Sequence, residues 1–447
     1  MSNDIRIKKG LTLKLQGEAE KLLSDAPRSQ VYSVKPADFH TVTPKMVVKE
    51  GEAVKAGDVL FFSKYNDAIK FVSPVSGKVK EIRRGAKRVI LDVVIEADAT
   101  DVYKEHGAKD SSVLSSEEVK QFMLESGLWP FVKQRPYDVV ANPNETPKAI
   151  FISAYATAPL AADVEFVLKN SKEDFQAGIQ AISKLTSGKV HLSIGNDDAS
   201  FLNEVKGVVL HKVSGPHPAG NVGVQIHHVD PINAGERVWV VSPEDVAIIG
   251  RTFKTGKFDA TRVVALAGSE VAKPQYYKVK IGAQVSSFVG AIQGNVRVIS
   301  GDVLTGDKIA EGGFLGYYHN LVTIIPEGKN YRMFGWLPFK DNYIPSMSKT
   351  SLAWLSPNKK YRVDTNLNGE ERALVVTGEM EKVLPMDVYP MQLLKACMAE
   401  NIEKMENLGI YEVTPEDFAL VDFACTSKIE AQEIIRQGLD LMIKEVG

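Results

Sequence analysis

An α+β chain of several domains is what the sequence predicts, on three observations. Short β-branched pieces punctuated by turn glycines run from Met46 to Glu96. A strand–helix–strand alternation follows between Ala149 and Ile194. From Leu384 onward the apolar spacing is helical. The chain has 447 residues, and at roughly 150 residues per domain about three domains fit.

Composition narrows the function classes. Hydrophobic residues make up 44% and charged residues 25%, the balance of a folded globular protein. Lys and Arg number 54 against 56 Asp and Glu, a net charge of -2, so there is no overall pull toward nucleic acid or anionic lipid. The two cysteines, Cys397 and Cys425, exclude a disulfide scaffold and any all-cysteine four-ligand zinc or iron–sulfur site within the chain. Free thiols suit a reducing compartment. The stretch Met1 to Gly10 has no apolar core, so no signal peptide is expected. The longest mostly apolar run, Ala149 to Ala162, is too short to span a bilayer and contains Pro159. Work at a membrane therefore requires docking on something else.

The elements follow in order. Val47 to Leu60 and Phe71 to Ile82 each carry glycines (Gly51, Gly57, Gly77) between short β-branched pieces. Together they resemble the lipoyl/biotinyl carrier fold, a barrel-sandwich module. The segment expected to form the carrier's tip, Lys64 to Lys70, lacks a modification consensus, so Lys64 and Lys70 are expected to be bare. Ala149 to Ile152 reads as a buried strand, and Phe175 to Leu185 as a helix with apolar residues at i, i+4, i+7 and i+10. Val190 to Ile194 reads as a second strand, so the crossover implies a parallel, Rossmann-like sheet. Val238 to Val241 and Pro243 to Phe253 repeat strand then helix. Strands at Arg262 to Gly268, Lys273 to Gly282 and Val296 to Ile299, with a short helix at Val285 to Gly290, give a β-grasp (SLBB-like) pattern. Helices are expected at Met391 to Leu408 and Ser427 to Val446, with Thr414 and Pro415 as a helix start. The expected divisions are 1–105, 106–260, 261–330, a linker over 331–383, and a helical domain over 384–447.

Three stretches carry a family resemblance: Ile7-Lys-Lys-Gly-Leu11, Ser73-Pro-Val-Ser-Gly-Lys-Val79 with Arg84-Gly-Ala-Lys-Arg88, and Ser214-Gly-Pro-His-Pro-Ala-Gly-Asn-Val-Gly223. With the order sandwich, α/β, β-grasp, helical tail, the chain resembles the large peripheral subunit of Rnf complexes and the flavoprotein subunit of complex I. It is more closely similar to the A-subunit family of the sodium-translocating NADH:quinone reductase, Na+-NQR. The resemblance spans nearly the whole chain. It implies a peripheral subunit on the cytoplasmic face of the bacterial inner membrane, partnered by the other Na+-NQR subunits and ubiquinone. The complex passes electrons from NADH to ubiquinone and exports sodium.

The departures from the flavin-binding relatives are equally informative. Their glycine-rich phosphate loop corresponds here to Glu125 to Tyr137, which keeps Gly127 and fills the rest with bulky groups. Their acidic cluster corresponds to Ser153 to Asp163, which keeps Pro159 and Asp163. The tail, where the Rnf subunit has two four-cysteine motifs, keeps Cys425 at a ligand position and resembles a ferredoxin-like domain without clusters. The resemblance thus implies no FMN, no iron–sulfur cluster and no covalent cofactor here, and no catalytic activity for the chain alone.

Trp129, Phe131 and Tyr137 replace the phosphate loop, and Tyr155 replaces an acid. They either line a quinone site, with flat walls and a hydroxyl donor, or fill a dead crevice. Phe334, Trp336 and Phe339, in the aromatic stretch Tyr331 to Tyr343, either dock a partner subunit or form a private core for the linker. The alternative to a quinone-binding role is pure assembly, gripping membrane-embedded neighbours. His217 is expected to serve a rigid loop, and the adjacent pair His227 and His228 cannot face one way for a metal.

Overall fold

The computed structural model describes residues 3–328 except 198, 291 and 293, together with 345, 347 and 355–447. The candidate docking aromatics Phe334, Trp336 and Phe339 lie outside the described residues. The chain begins with two strands that serve later sheets, β1 (Asn3–Arg6) and β2 (Glu20–Asp25). It then forms the barrel-sandwich. β3 (Val31–Val34), β5 (Ala53–Val54), β8 (Gly77–Arg84) and β9 (Ile90–Ala97) make a four-stranded sheet in the order β3-β9-β8-β5. β4 (Pro44–Met46), β6 (Val59–Ser63) and β7 (Asn66–Val72) make a three-stranded one. Alternation puts Val79, Val93 and Ile95 of the first sheet and Leu60, Ile69 and Phe71 of the second into one core. Phe61 and Phe71 stack there at 4.7 Å.

The α/β unit opens with α1 (Ser116–Glu125), started by a capping box between Ser115 and Glu118. Its sheet adds β10 (Lys133–Arg135), β11 (Val139–Val140), β12 (Ala149–Ser153), β13 (Lys189–Ile194), β14 (Val209–Ser214) and β15 (Val238–Val240), in the order β1-β14-β13-β12-β15-β10-β11. β1, β14, β13, β12 and β15 run parallel, and β10 and β11 close one edge antiparallel. After the short α2 (Val164–Leu168), α3 (Lys172–Ile182) supplies the expected crossover between β12 and β13. α4 (Val222–Val229) packs Ile226 on Ala149 and Phe151. α5 (Pro243–Thr255) crosses α3 at two glycines. A Cβ on Gly178 would come within 1.9 Å of the Val246 carbonyl, and one on Gly250 within 1.9 Å of the Asp174 carbonyl. Only bare backbone permits that approach.

The β-grasp sheet comprises β16 (Thr261–Ala267), β17 (Gln275–Lys280), β18 (Val296–Ser300), β19 (Asp307–Ile309) and β20 (Leu321–Pro326), with the short α6 (Ser286–Val289). Its order is β19-β18-β20-β16-β17-β2. β1 and β2, which by sequence fall within the division 1–105, therefore pair with β14 and β17 of later domains. Both extend open sheet edges by parallel pairing, a choice set by which edges are unpaired and not by local pattern.

The helical end holds α7 (Pro390–Met398), α8 (Ile402–Asn407), α9 (Ala419–Ala424) and α10 (Ala431–Glu445). The single helix expected over Met391 to Leu408 is broken. Glu400 sits at φ 51°, and the Asn401 side chain accepts from the Lys404 N–H to start a new helix. Thr414 and Asp417 form the expected helix start as a reciprocal cap. A second large core unites this domain with Ile5, Ile7, Leu13, Leu15 and Tyr137. No described helix is long and apolar enough to cross a membrane.

Candidate functional site at the domain junction

The segment after α1 builds the junction. Trp129, Pro130 and Phe131 form one tight turn, all buried. The Trp129 indole N–H donates to the Ala141 carbonyl at 2.7 Å, and its ring meets Trp239 edge-on at 5.4 Å. Phe131 stacks on Tyr317 at 5.3 Å and on Phe258 at 6.1 Å. The Tyr318 hydroxyl donates to the Pro130 carbonyl at 2.6 Å. One aromatic assembly thus joins the α/β unit to the β-grasp. Phe39 extends it into the sandwich, 4.3 Å from Phe71 and 4.7 Å from Tyr317.

Past Phe131 the chain turns charged. Tyr137 and Asp138 take φ of 86° and 53°, a left-handed pair that side chains adopt at a cost of order 1 kcal/mol each. Next to this turn lies a cavity of about 150 Å³. Its walls come from four parts of the chain: Asp38, Phe39 and His40; Lys133 and Asp138 to Val140; Tyr318; and Pro415 with Arg436. The Lys133 ammonium sits 4.6 Å over the Tyr318 ring and 3.3 Å from Asp138. Burial alone would raise the Asp138 pKa, but Lys133, Arg135 and Arg436 outweigh it and hold the carboxyl below its usual range. Asp38 is pushed the other way by burial, although Lys35 and the Tyr317 N–H, which donates at 2.8 Å, partly offset it.

The helical domain borders this cavity through polar contacts. Arg436 donates to the Tyr137 carbonyl at 2.7 Å and pairs with Asp440. The His40 Nε2 lies 2.7 Å from the same Asp440. Arg135 is buried and pairs with the buried Asp417 at 2.9 Å, with Glu416 at 3.3 Å. Gly223 makes room for that pair: a Cβ there would lie 2.3 Å from Arg135 Nη1 and 2.5 Å from Asp417 Oδ2.

The four aromatics expected at a quinone site are divided by the fold. Trp129 and Phe131 belong to the large core shared by the first three domains, and Tyr137 to the core of the helical end. Tyr155 sits after β12, partly buried, donating to the Gly215 carbonyl at 3.3 Å. None is among the cavity-lining residues, but the segment that carries the first three walls it through Lys133 and Asp138 to Val140. Phe39, His40, Tyr318 and Arg436 escaped sequence reading because they come from remote parts of the chain. The one local signal was the run Lys133-Gln-Arg-Pro-Tyr-Asp138, dense in charge beside an apolar turn.

His217 is buried, its Nδ1 3.2 Å from the Thr157 hydroxyl and its carbonyl accepting from the Leu11 N–H at 2.8 Å, and burial lowers its pKa. His227 contacts Glu412 through Nδ1 at 2.7 Å and accepts from the Asp387 N–H at Nε2, so Nδ1 carries the proton. His228 contacts the Val224 carbonyl instead. Among the described residues no cluster of three or more candidate ligands could hold a metal.

A barrel-sandwich, a parallel α/β unit and a β-grasp, joined to a helical end around one cavity, define a multi-domain α+β protein. Three family profiles match it: the NqrA N-terminal barrel-sandwich hybrid domain over residues 5–98, the NqrA second alpha/beta domain over 114–258, and the NQRA C-terminal domain over 263–311. The A-subunit of the Na(+)-translocating NADH-quinone reductase from Neisseria meningitidis serogroup A is 38% identical over 450 residues, covering 99% of this chain and 100% of that protein. The protein of the same name from Yersinia pestis bv. Antiqua is 36% identical over 447 residues, with the same coverage. The chain belongs to the NqrA family, the A-subunits of Na(+)-translocating NADH-quinone reductase. A crystal structure of an NAD+-reducing NiFe hydrogenase in the air-oxidized state is similar only at a TM-score of 0.34 and 11% identity, over 75% of this chain and 59% of that one.

Proposed function

We propose that the chain is the peripheral, cytoplasm-facing subunit of a Na+-translocating NADH:ubiquinone oxidoreductase, supporting electron transfer from NADH to ubiquinone coupled to sodium export. The observation that carries this is the full-length likeness to NqrA proteins. Within that role, the junction cavity receives the edge of a quinone head group. Phe39 and Tyr318 offer aromatic walls, and Lys133, held over the Tyr318 ring, is a cation for a quinone carbonyl. At about 150 Å³ the cavity takes part of the ring, because pockets that enclose whole ligands run from roughly 300 Å³. A membrane-embedded neighbour supplies the remainder. Trp129 and Phe131 act from behind, through Pro130 and Tyr317, by holding the Tyr318 wall. The chain carries no flavin or iron–sulfur cluster of its own in this reading, since bulky buried groups occupy the loop where a phosphate cradle would lie.

The test is steady-state kinetics of the assembled complex. Lys133→Gln and Tyr318→Leu should each raise the KM for ubiquinone about tenfold, a loss near 1.4 kcal/mol of binding, with NADH oxidation by an artificial acceptor unchanged. An unaltered KM in both variants leaves assembly as the role of this subunit.

A further inference from the structure

The hairpin of β8 and β9 ends in a tip over residues 84–91, with Arg83 at its base lying 5.9 Å over the Phe314 ring. Arg84 pairs opposite Ile90, and the turn between them closes with the Gly85 N–H donating to the Val89 carbonyl at 2.8 Å. Lys87 and Arg88 take φ of 53° and 64°, so two long side chains occupy a left-handed turn where smaller residues are usual. Arg84, Lys87 and Arg88 are all exposed. Arg83 next to them is matched by Glu81 at 2.9 Å and Asp92 at 3.9 Å. Arg84, Lys87 and Arg88 make no ion pair among the described residues, and Arg84 donates to the Arg88 carbonyl. Lys78 and Lys80, further along β8, are interleaved with the exposed Glu81 and with Glu96 opposite Lys78, so the unpaired cations are confined to the tip.

Two large apolar side chains share this tip. Val89 is 58% exposed and Leu91 47%. Leu91 lies against Gly85, where a Cβ would come within 3.2 Å of its methyl carbons. Two exposed aliphatic side chains thus sit side by side with three cations at one hairpin tip. Unpaired cations around exposed aliphatic groups are the pattern of a segment that sits at a bilayer interface, with ammonium and guanidinium groups at lipid phosphates and aliphatic groups below them. The chain as a whole has a net charge of -2, so this attraction is local and orients the molecule.

We propose that the β8–β9 hairpin tip docks on the anionic headgroup surface of a lipid bilayer, with Arg84, Lys87 and Arg88 at the phosphates and Val89 and Leu91 entering the interface. The proposal is independent of the quinone reading. It is tested by flotation of the full chain with vesicles of equimolar phosphatidylcholine and phosphatidylglycerol against vesicles of phosphatidylcholine alone. Binding is expected to the anionic vesicles and to fall away at about 1 M salt. Arg84→Gln, Lys87→Gln and Arg88→Gln together should reduce partitioning about 100-fold, each cation near the surface contributing about fivefold. Val89→Ser with Leu91→Ser should reduce it by about five- to tenfold. Both variants alter exposed positions, so an unchanged melting temperature shows that the fold is intact. Equal binding of the wild type to both vesicles, no binding to either, or retention by the triple variant overturns the proposal. So does a triple variant that floats like the wild type yet fails to assemble into the complex, which assigns the tip to an acidic protein surface.

Discussion

The two seams that hold the domains together are built from opposite materials. Between the sandwich, the α/β unit and the β-grasp, the seam is aromatic: Phe39, Trp129, Phe131, Phe258 and Tyr317 are all nearly or fully buried in one core. Between those domains and the helical end, polar contacts accompany a second core: Arg135 with Asp417, Arg436 with the Tyr137 carbonyl, His40 with Asp440, and His227 with Glu412. The aromatic contacts of the first seam gain free energy from area removed from water. The polar seam gains little net stability per contact but fixes one docking geometry, because each buried donor must find its own acceptor. The cavity lies where the two seams meet, which is why its walls are aromatic on one side and charged on the other.

The comparison breaks most sharply at Trp129. Trp129→Ala removes a fully buried indole and its hydrogen bond to Ala141, and should cost about 4 kcal/mol, read as a large fall in the urea midpoint of the full chain at every pH. Asp417→Ala strands Arg135 without its buried partner and should cost about 3 kcal/mol. Here the expected signature is different: removing both partners, as Arg135→Met with Asp417→Leu, should restore much of the loss. Asp417 also caps Thr414, so a shortfall in the double variant larger than about 1–2 kcal/mol, the worth of a cap, would mean the pair stabilises outright and does more than select a geometry.

Glu244 sharpens the contrast, because with Asp245 and Arg262, which pair at 2.6 Å, it forms a buried polar group inside the aromatic seam. It is buried beside Arg262 and accepts from Asn320 at 3.2 Å. Burial raises its pKa from 4.5 to about 7, against the opposing pull of Arg262. The folded state therefore holds this proton more tightly than the unfolded one. The stability linked to it is fully present below pH 4.5 and is lost as pH rises through about 7. Glu244→Gln should be nearly neutral at pH 5 and stabilising by about 2 kcal/mol at pH 8, and equal effects at the two pH values would refute the assignment. The smallest effect belongs to His40→Ala, whose partner Asp440 is half exposed. Its loss should stay below about 1 kcal/mol, measurable as a slight shift in thermal midpoint.

How much of this was legible beforehand differs by element. Phe175 to Leu185 announced its helix because the apolar stripe repeats within one stretch of chain, and α3 spans Lys172–Ile182. Gly178 within it gave no hint that a distant glycine, Gly250 on α5, would meet it across a helix crossing. The bulky run Trp129 to Tyr137 stood out in the sequence, and in the structure Trp129 and Phe131 lie in the core at the junction of the domains. Which side chains face the cavity was not readable, since Phe131 and Lys133 are two residues apart and end in different surroundings.

Local chemistry alone thus determined the strand and helix types, the turn glycines, the Thr414 cap and the family, because each depends on residues near one another in sequence or on full-length likeness. The tertiary structure decided where β1 and β2 pair, which carboxylates meet Arg135 and Arg436, and that Asp38, Lys133, Tyr318 and Arg436 share one cavity. Those outcomes depend on which edges and charges are left unsatisfied once the domains have formed. Asp417 lies 282 positions from Arg135, and nothing in a pattern of near neighbours can select such a partner.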